Sequence, residues 1–313
     1  MLDAGGTPPL ALIAGPTASG KSDLAVQAAL AAQARGTPAI VINADSAQVY
    51  ADLAVLSARP SSDEMQGVEH RLFGTWDGAR ACSAADWAAA AKAEIARAHA
   101  QGALPILVGG TGLYIRTLLD GIAPVPAIDP AVREAVRAMD TADAHALLQQ
   151  VDPTRAECLS PNDRTRIARA LEVVRSTGRT LADWQAERHG GIGGKVGLRP
   201  LILLPDRQAL YERCDRRFAL MLERGAIEEV RALLARQLDP ALPVMRAIGV
   251  PELAGYLRGE WTLDEARTRG AQATRNYAKR QFTWLRHQPP VTWQRIEPDN
   301  YNHSDVIEIL LPN

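Results

Sequence analysis

The sequence predicts an α/β fold: a P-loop-type parallel sheet with helices on both faces, plus a helical insertion domain and a helical C-terminal region. Three observations carry the prediction. Short apolar runs alternate with segments of helical spacing, the pattern of a parallel sheet covered on both sides. The octapeptide GPTASGKS, residues 15–22, joins the first such run to the first helix, as a phosphate-binding loop does. The alternation then breaks at a Pro-rich stretch, residues 120–130, and an apolar run returns only at residues 198–205.

The first strand is LALIAG, residues 10–15, set between Pro9 and Pro16. Behind the loop, Leu24, Ala25, Ala28, Ala29 and Ala32 keep helical spacing as far as Gly36, a residue type suited to ending a helix. In between, Gly15 and Gly20 let the backbone curl, so that amides from Gly15, Pro16's successors Thr17, Ala18 and Ser19, and Gly20 converge on one anion. Lys21 is expected to reach the terminal phosphate and the Ser22 hydroxyl to take magnesium. The helix dipole adds about 0.3–1 kcal/mol when exposed, so charge-assisted hydrogen bonds supply most of the grip.

The next element, AIVINADSAQVY at residues 39–50, starts as a β-branched strand and runs into a polar turn at Asn43, Asp45 and Ser46. Asp45 then stands at a strand end above the phosphate loop, placed to hold a metal through water or to accept a proton; a turn or helix cap explains it equally simply. His70 and Arg71 follow and are expected beside the donor pocket. Ser83 and Asp86 form a capping-box pattern for a helix running to Gly102. LPILVGGTGLY, residues 104–114, reads as a buried strand ending in glycines. Gly109, Gly110 and Gly112 suggest backbone close to a ligand, and Thr111 is either a donor to that ligand or the cap of a tight turn.

Residues 1–119 thus form the first part of the core, residues 120–197 the helical insertion, and residues 198–313 the resumed core and a basic helical end. After the strand at 198–205, Arg213 and Arg217 share one helix face at i and i+4, open either to solvent or to the phosphates. From Ala266 to Arg286 the chain carries Arg267, Arg269, Arg275, Lys279, Arg280 and Arg286 without an acid, interleaved with Tyr277, Phe282 and Trp284. Such interleaving suits RNA, although Phe282 and Trp284 are expected to be buried. A second basic cluster, Arg164 to Arg179, lies in the insertion.

The chain's 313 residues, 47% apolar and 23% charged, suffice for a large core, and a net charge of −1 leaves nucleic-acid contact to local patches. Three widely spaced cysteines exclude a disulfide framework or zinc cluster and point to a reducing cytoplasm. No apolar run is long enough to span a membrane.

With GPTASGKS, NADSAQVY, GGTGLYIRTLL, NDRTRIARALEV and RNYAKRQFTWLR in this order, the chain resembles the tRNA dimethylallyltransferase family over nearly its whole length. The resemblance implies transfer of a dimethylallyl group from dimethylallyl diphosphate to the exocyclic amine of the adenosine 3′ of the anticodon. It also implies magnesium, the tRNA anticodon stem-loop as partner, and a cytoplasmic enzyme, here expected as a monomer. Gly15 to Ser22 would hold the diphosphate and Arg217 would be a further diphosphate ligand. Asp45 would be the base, in a tRNA-contacting tetrapeptide Asp45, Ser46, Ala47 and Gln48. Thr111 would be a catalytic-site residue in contact with the tRNA or the donor, and Arg133 and the segment Thr165, Arg166, Ile167, Ala168 and Arg169 would be further tRNA contacts, with Thr165 standing where the family has Gln. Arg246 is carried over, whereas the neighbouring Val250 and Pro251 depart from the family pattern; Arg275, Lys279 and Arg280 are the basic-tail contacts. The alternatives are a small-molecule kinase using ATP in the loop, an adenylate isopentenyltransferase, and an RNA-binding protein with a vestigial loop.

Overall fold

A computed structural model of the chain describes residues 6–297 and 303–311. They divide into a unit of residues 1–119 and 192–313 and a smaller one of residues 120–191.

In the larger unit the chain runs β1 (Pro9–Ala14), α1 (Lys21–Ala34), β2 (Ala39–Asn43), α2 (Ser62–Met65), β3 (Glu69–Arg71), α3 (Ala84–Ala100), β4 (Leu104–Gly109) and α4 (Gly112–Asp120). The smaller unit holds β5 (Gly121–Ile122), α5 (Pro130–Ala138), α6 (Thr141–Val151), α7 (Pro153–Cys158), α8 (Arg164–Thr177), α9 (Leu181–Ala186) and β6 (His189–Gly190). The larger unit resumes with β7 (Gly197–Leu203), α10 (Arg207–Glu223), α11 (Ala226–Ala235), α12 (Val250–Leu257), α13 (Leu263–His287), β8 (Gln294–Ile296) and α14 (His303–Leu310).

Six parallel strands form one sheet in the order β3-β2-β4-β1-β7-β8. Strand β1 shows why a continuous apolar run was needed: Leu10, Leu12 and Ala14 enter one core layer, and Ala11 and Ile13 enter the other. Helices α1 and α14 cover the second layer, while α3, α4 and α10 to α13 cover the first. The register pairs Ala14 with Gly109 and with Ile202, and Asn43 with Val108, so the carboxyl ends of β1, β2, β4 and β7 form one rim. Gly15, Asp45 and Gly109 all stand on it, as the strand pattern predicts.

The expected caps are present. Ser83 and Asp86 form the reciprocal capping box of α3, and Gly36 takes φ 82° just past α1, where an L side chain would be strained. Four strand limits differ from the expectation, the first strand spanning Pro9–Ala14 rather than 10–15. The apolar run at 104–114 stops being strand at Gly109, because Thr111 O accepts from the N–H groups of Tyr114 and Ile115 and opens α4. Residues 39–50 are strand only to Asn43, where the side chain captures the local backbone. The strand expected at 198–205 spans Gly197–Leu203. Val250 is buried in the core and Pro251 sits in the first turn of α12, where its missing N–H costs nothing.

The smaller unit packs on its own core, built from Val136 of α5, Ala144 and Leu148 of α6, and Ile167 and Leu171 of α8. Its helices α5, α6, α7 and α8 are each capped by an Asp side chain, at 129, 140, 152 and 163. Among the described residues no helix is long and apolar enough to cross a membrane.

Candidate active site

The phosphate loop connects β1 to α1 around a close internal contact. A Cβ on Gly15 would collide with Ser19 Oγ, itself buried and without a hydrogen-bond partner, so only glycine fits there. Ala18 and Gly20 both take positive φ, 61° and 83°; for Ala18 this is strain of the kind that collects at ligand-binding loops. Lys21 is buried, and its Nζ donates to Pro16 O at 3.2 Å. Burial pushes its pKa down to about 8 from 10.5; Asp45 pulls the other way and Arg217 adds to the depression. A lone ammonium held in this state gains from an arriving anion. Arg217, half-buried on α10, donates Nη1 to Thr17 Oγ1 at 3.3 Å, and its own pKa is lowered by burial against the pull of Asp45.

Past β2 the backbone is shaped by Asn43. Its side chain accepts from Asp45 N–H at 2.8 Å and donates to Asp45 O and Leu72 O at 3.0 Å each, while Trp87 Nε1 donates to Asn43 O. These bonds fix Asp45 at the rim, 7% exposed. Asp45 Oδ1 accepts from Ala47 N–H in a tight turn, and no helix follows, so the carboxylate caps none. Ser46 N–H donates to Thr111 Oγ1 at 3.0 Å. Tyr277 of α13 lies beside the Thr111 and Ser46 side chains, and burial holds its hydroxyl well above the usual phenol range.

Asp45, Arg217, Arg246 and Arg280 line a cavity of about 300 Å³ whose remaining wall is largely apolar, including Leu53, Leu56 and Phe218. A second cleft of about 340 Å³ runs along the loop past Lys21, Ser22, Arg213 and Arg217. Arg217 is on both walls. The basic residue and the carboxylate are thereby presented to one ligand from two sides.

The remaining expected residues are placed as follows. Ala47 and Ser46 line the 300 Å³ cavity. Gln48 is buried, and its Nε2 donates to Ser57 O and Ala58 O at 3.0 and 2.9 Å, so its amide is spent within the protein. Lys279 is exposed; Arg280 lies over the Tyr277 ring at 5.7 Å; Arg275 pairs with Asp215 of α10. In the 120–191 unit, Arg133, Thr165, Arg166 and Arg169 are exposed, with Arg166 paired to Asp163 and Arg169 3.9 Å from Glu172. Ile167 is fully buried in that unit's core and Ala168 half-buried.

Two expectations are corrected. His70 and Arg71 line neither cavity: His70 Nδ1 contacts Val68 O and its ring meets Phe73, and Arg71 pairs with Glu69. The glycines of GGTG make room for protein rather than ligand. A Cβ at Gly109 would strike the Ala44 backbone, at Gly110 the Gln281 amide, and at Gly112 the Trp284 ring. Phe282 and Trp284 do pack on core residues, as expected. Gln281 is the functional residue that sequence reading passed over: its Oε1 accepts from Thr17 N–H at 2.8 Å, 264 positions away in the chain. The signal was present, since Tyr277 and Gln281 are four apart and share a helix face.

Among the described residues no three His, Cys, Asp or Glu side chains cluster as a metal site. The groups lining the loop cleft that could ligate a metal are all oxygens, the Ser22 hydroxyl and the Asp23 and Glu64 carboxylates, beside the cationic Lys21, Arg213 and Arg217. That set suits magnesium, which keeps several waters and takes phosphate oxygens from its substrate.

Against known proteins, a family model described as IPP transferase matches residues 48–288. A tRNA dimethylallyltransferase of Erythrobacter litoralis is 64% identical over 306 residues, covering 98% of this chain and 96% of the relative. One from Novosphingobium aromaticivorans is 68% identical over 277 residues, 88% of this chain and 99% of its own. Among solved structures, the full-length tRNA isopentenylpyrophosphate transferase of Bacillus halodurans superposes with a TM-score of 0.69 at 32% identity, over 96% of this chain and 94% of that one. A eukaryotic dimethylallyltransferase captured acting on tRNA gives 0.74 at 28% identity, over 89% and 70% of the two chains.

Proposed function

The chain belongs to the IPP transferase family, and we propose that its cleft transfers a dimethylallyl group from dimethylallyl diphosphate to the exocyclic amine of the tRNA adenosine 3′ of the anticodon. One observation carries the assignment of roles: Arg217 lines both the phosphate-loop cleft and the cavity that holds Asp45. Diphosphate in the loop then points its allylic carbon at the carboxylate.

As the carbon–oxygen bond breaks, its electron pair leaves on the diphosphate, and donors already aimed there stabilise the transition state more than the ground state. Lys21, the loop amides from Ala18 onward and Arg217 do this; losing one such donor typically costs about 2.7–4 kcal/mol. Ser22 would hold a magnesium ion, which would supply further charge neutralisation to the leaving group. The amine's lone pair forms the new nitrogen–carbon bond while Asp45 takes its proton, worth roughly 10²–10⁴ in rate. Thr111 and Ser46, beside Tyr277, keep the Asp45 turn in place. To reach the cavity the adenine leaves its stack, at a cost of about a few kcal/mol.

Contacts to the RNA offset that cost. Arg246 and Arg280 stand at the cavity, Lys279 and Arg275 on the same helix as Arg280, and Arg133, Arg166 and Arg169 on the helical unit. Ile167 and Ala168 serve there as core, carrying the segment that displays their neighbours. We read it as a cytoplasmic protein acting as a monomer, a reading supported by tRNA as its substrate and by one chain carrying every group named. The same loop would serve a kinase, but the family does not favour that reading. Purified protein given labelled dimethylallyl diphosphate and unmodified tRNA is expected to label the RNA; phosphate transfer from ATP with no prenyl incorporation would reverse the conclusion.

A further inference from the structure

A thin wall separates the cavity holding Asp45 from a wider groove of about 770 Å³. Residues 53–58 form half of it. Leu53, Leu56 and Ser57 face the cavity; Ala54, Val55 and Ala58 face the groove. This half is held firmly. The Glu229 carboxylate of α11 accepts from the N–H groups of Ala54, Val55 and Leu56 at 2.6, 2.8 and 2.8 Å. Gln48 secures the other end through the Ser57 and Ala58 carbonyls. Charge-assisted bonds to three successive amides leave the segment little freedom.

Helix α10 supplies the other half, and two of its side chains line both spaces, Arg217 and Met221. Arg217 is tied to Thr17 and to the diphosphate position. Met221 is one turn further along the same face, half-buried, with an unbranched thioether that packs against the core rather than bonding to it. Beyond it the groove carries the apolar Val55, Pro60, Met65 and Leu220, the last 40% exposed, together with the charged Arg59, Glu64 and Arg224.

We propose that Met221 is the specificity-determining residue that limits the isoprenoid donor to five carbons, by closing the Asp45 cavity against the groove. The inference rests on the dimethylallyl-transfer reading of this site. The cavity that would take the adenine and the five-carbon chain is bounded toward the groove by Met221, which lines both spaces. Glu229 and Gln48 hold the backbone of residues 53–58, and of the two side chains that line both spaces Arg217 is hydrogen-bonded to Thr17 while Met221 is held by packing alone. Truncating it joins the two spaces, and the second isoprene unit then lies along the apolar side of the groove, at Val55, Met65 and Leu220. The chemistry is unchanged for the longer donor: carbon–oxygen bond broken with its electron pair on diphosphate, nitrogen–carbon bond formed, proton to Asp45.

The test is competition between dimethylallyl and geranyl diphosphate for unmodified tRNA, with the attached group identified by mass, using full-length wild type, Met221→Ala and Met221→Val. Wild type is expected to attach the five-carbon group alone. Either truncation should raise geranyl use relative to dimethylallyl by about ten-fold or more, the scale on which a hydrophobic pocket separates neighbouring sizes. Leu220→Ala, which widens the groove without touching the cavity, should keep the wild-type preference. Truncated variants that transfer dimethylallyl with unchanged preference overturn the role of Met221 and leave the activity standing. A wild type that transfers no five-carbon group overturns the underlying reading, and this inference with it.

Discussion

Gln281 and Thr17 join helix α13 to the phosphate loop: the Gln281 amide oxygen accepts from Thr17 N–H at 2.8 Å, and Tyr277, four residues earlier on the same helix, lies beside Thr111 and Ser46 next to Asp45. One rigid helix thereby sets the separation between the base and the departing diphosphate. Thr17 N–H is also withdrawn from the anion cradle, which begins at Ala18.

Replacing Gln281 with Ala leaves the Thr17 N–H without its partner, a loss of about 1–3 kcal/mol if the group stays buried. Because the loop would shift rather than the base, KM for the isoprenoid diphosphate should rise and kcat fall, while tRNA affinity stays within about two-fold. Steady-state kinetics with each substrate varied separately checks this; a variant with lowered melting temperature but unaltered kinetics would reduce Gln281 to a packing role.

Asp45→Ala removes the base and should cut kcat by roughly 10²–10⁴. Binding of tRNA, measured by filter retention, should persist. Normal turnover would mean that another group takes the proton.

Arg217→Ala removes one preorganised donor from the leaving group and should lower kcat by roughly 10²–10³. Met221 and Thr17 flank the gap, so neither supplies a replacement charge. An effect confined to KM would show that Arg217 binds the donor equally in ground and transition states.

Lys21 gives a pH signature. Its pKa in the free protein is pushed down to about 8 from 10.5, so between these values the unfolded chain binds more protons than the folded one. Stability of the ligand-free protein should therefore rise with pH from about 8 to 10.5, by up to about 3 kcal/mol from this residue. Activity moves oppositely: kcat/KM for the diphosphate donor should fall as pH passes about 8, because the ammonium must be charged to hold it. Melting curves and kcat/KM profiles of wild type and Lys21→Met separate the two trends, and a profile flat through pH 9 would place Lys21 outside diphosphate binding.

Lys279→Ala should weaken tRNA binding at every sequence and reduce the salt slope by about 1, without changing donor KM. Arg275→Ala should do less, since Arg275 is already paired with Asp215. Binding isotherms across a salt series test both.

Most of the sheet could be read directly from the chain, because a strand buried on both faces needs an apolar run: β1 and β4 are apolar throughout, β2 from Ala39 to Ile42, and β7 over its buried last three residues, Leu201 to Leu203. The phosphate loop was equally plain, its glycines demanded by φ at Gly20 and by Ser19 beside Gly15. Reading failed where a residue's neighbour is remote in the chain. The GGTG glycines look like a ligand site until Gln281 and Trp284 arrive from α13 to fill the space above Gly110 and Gly112. His70 and Arg71 look like pocket residues until β3 turns them to Phe73 and Glu69.

Local order and chemistry are therefore intrinsic to the sequence: strand, loop and helix around Lys21, the acid at the end of β2, the basic face of α13. Those follow from periodicity and from backbone conformations accessible to each residue type. The alignment of Asp45, Arg217 and Lys21 on shared cavities, the wall of residues 53–58 held by Glu229, and the grip of Gln281 on Thr17 arise only on folding. Each joins groups that are more than a hundred residues apart, or that belong to different strands, and side-chain geometry at such separations is set by packing, not by spacing along the chain.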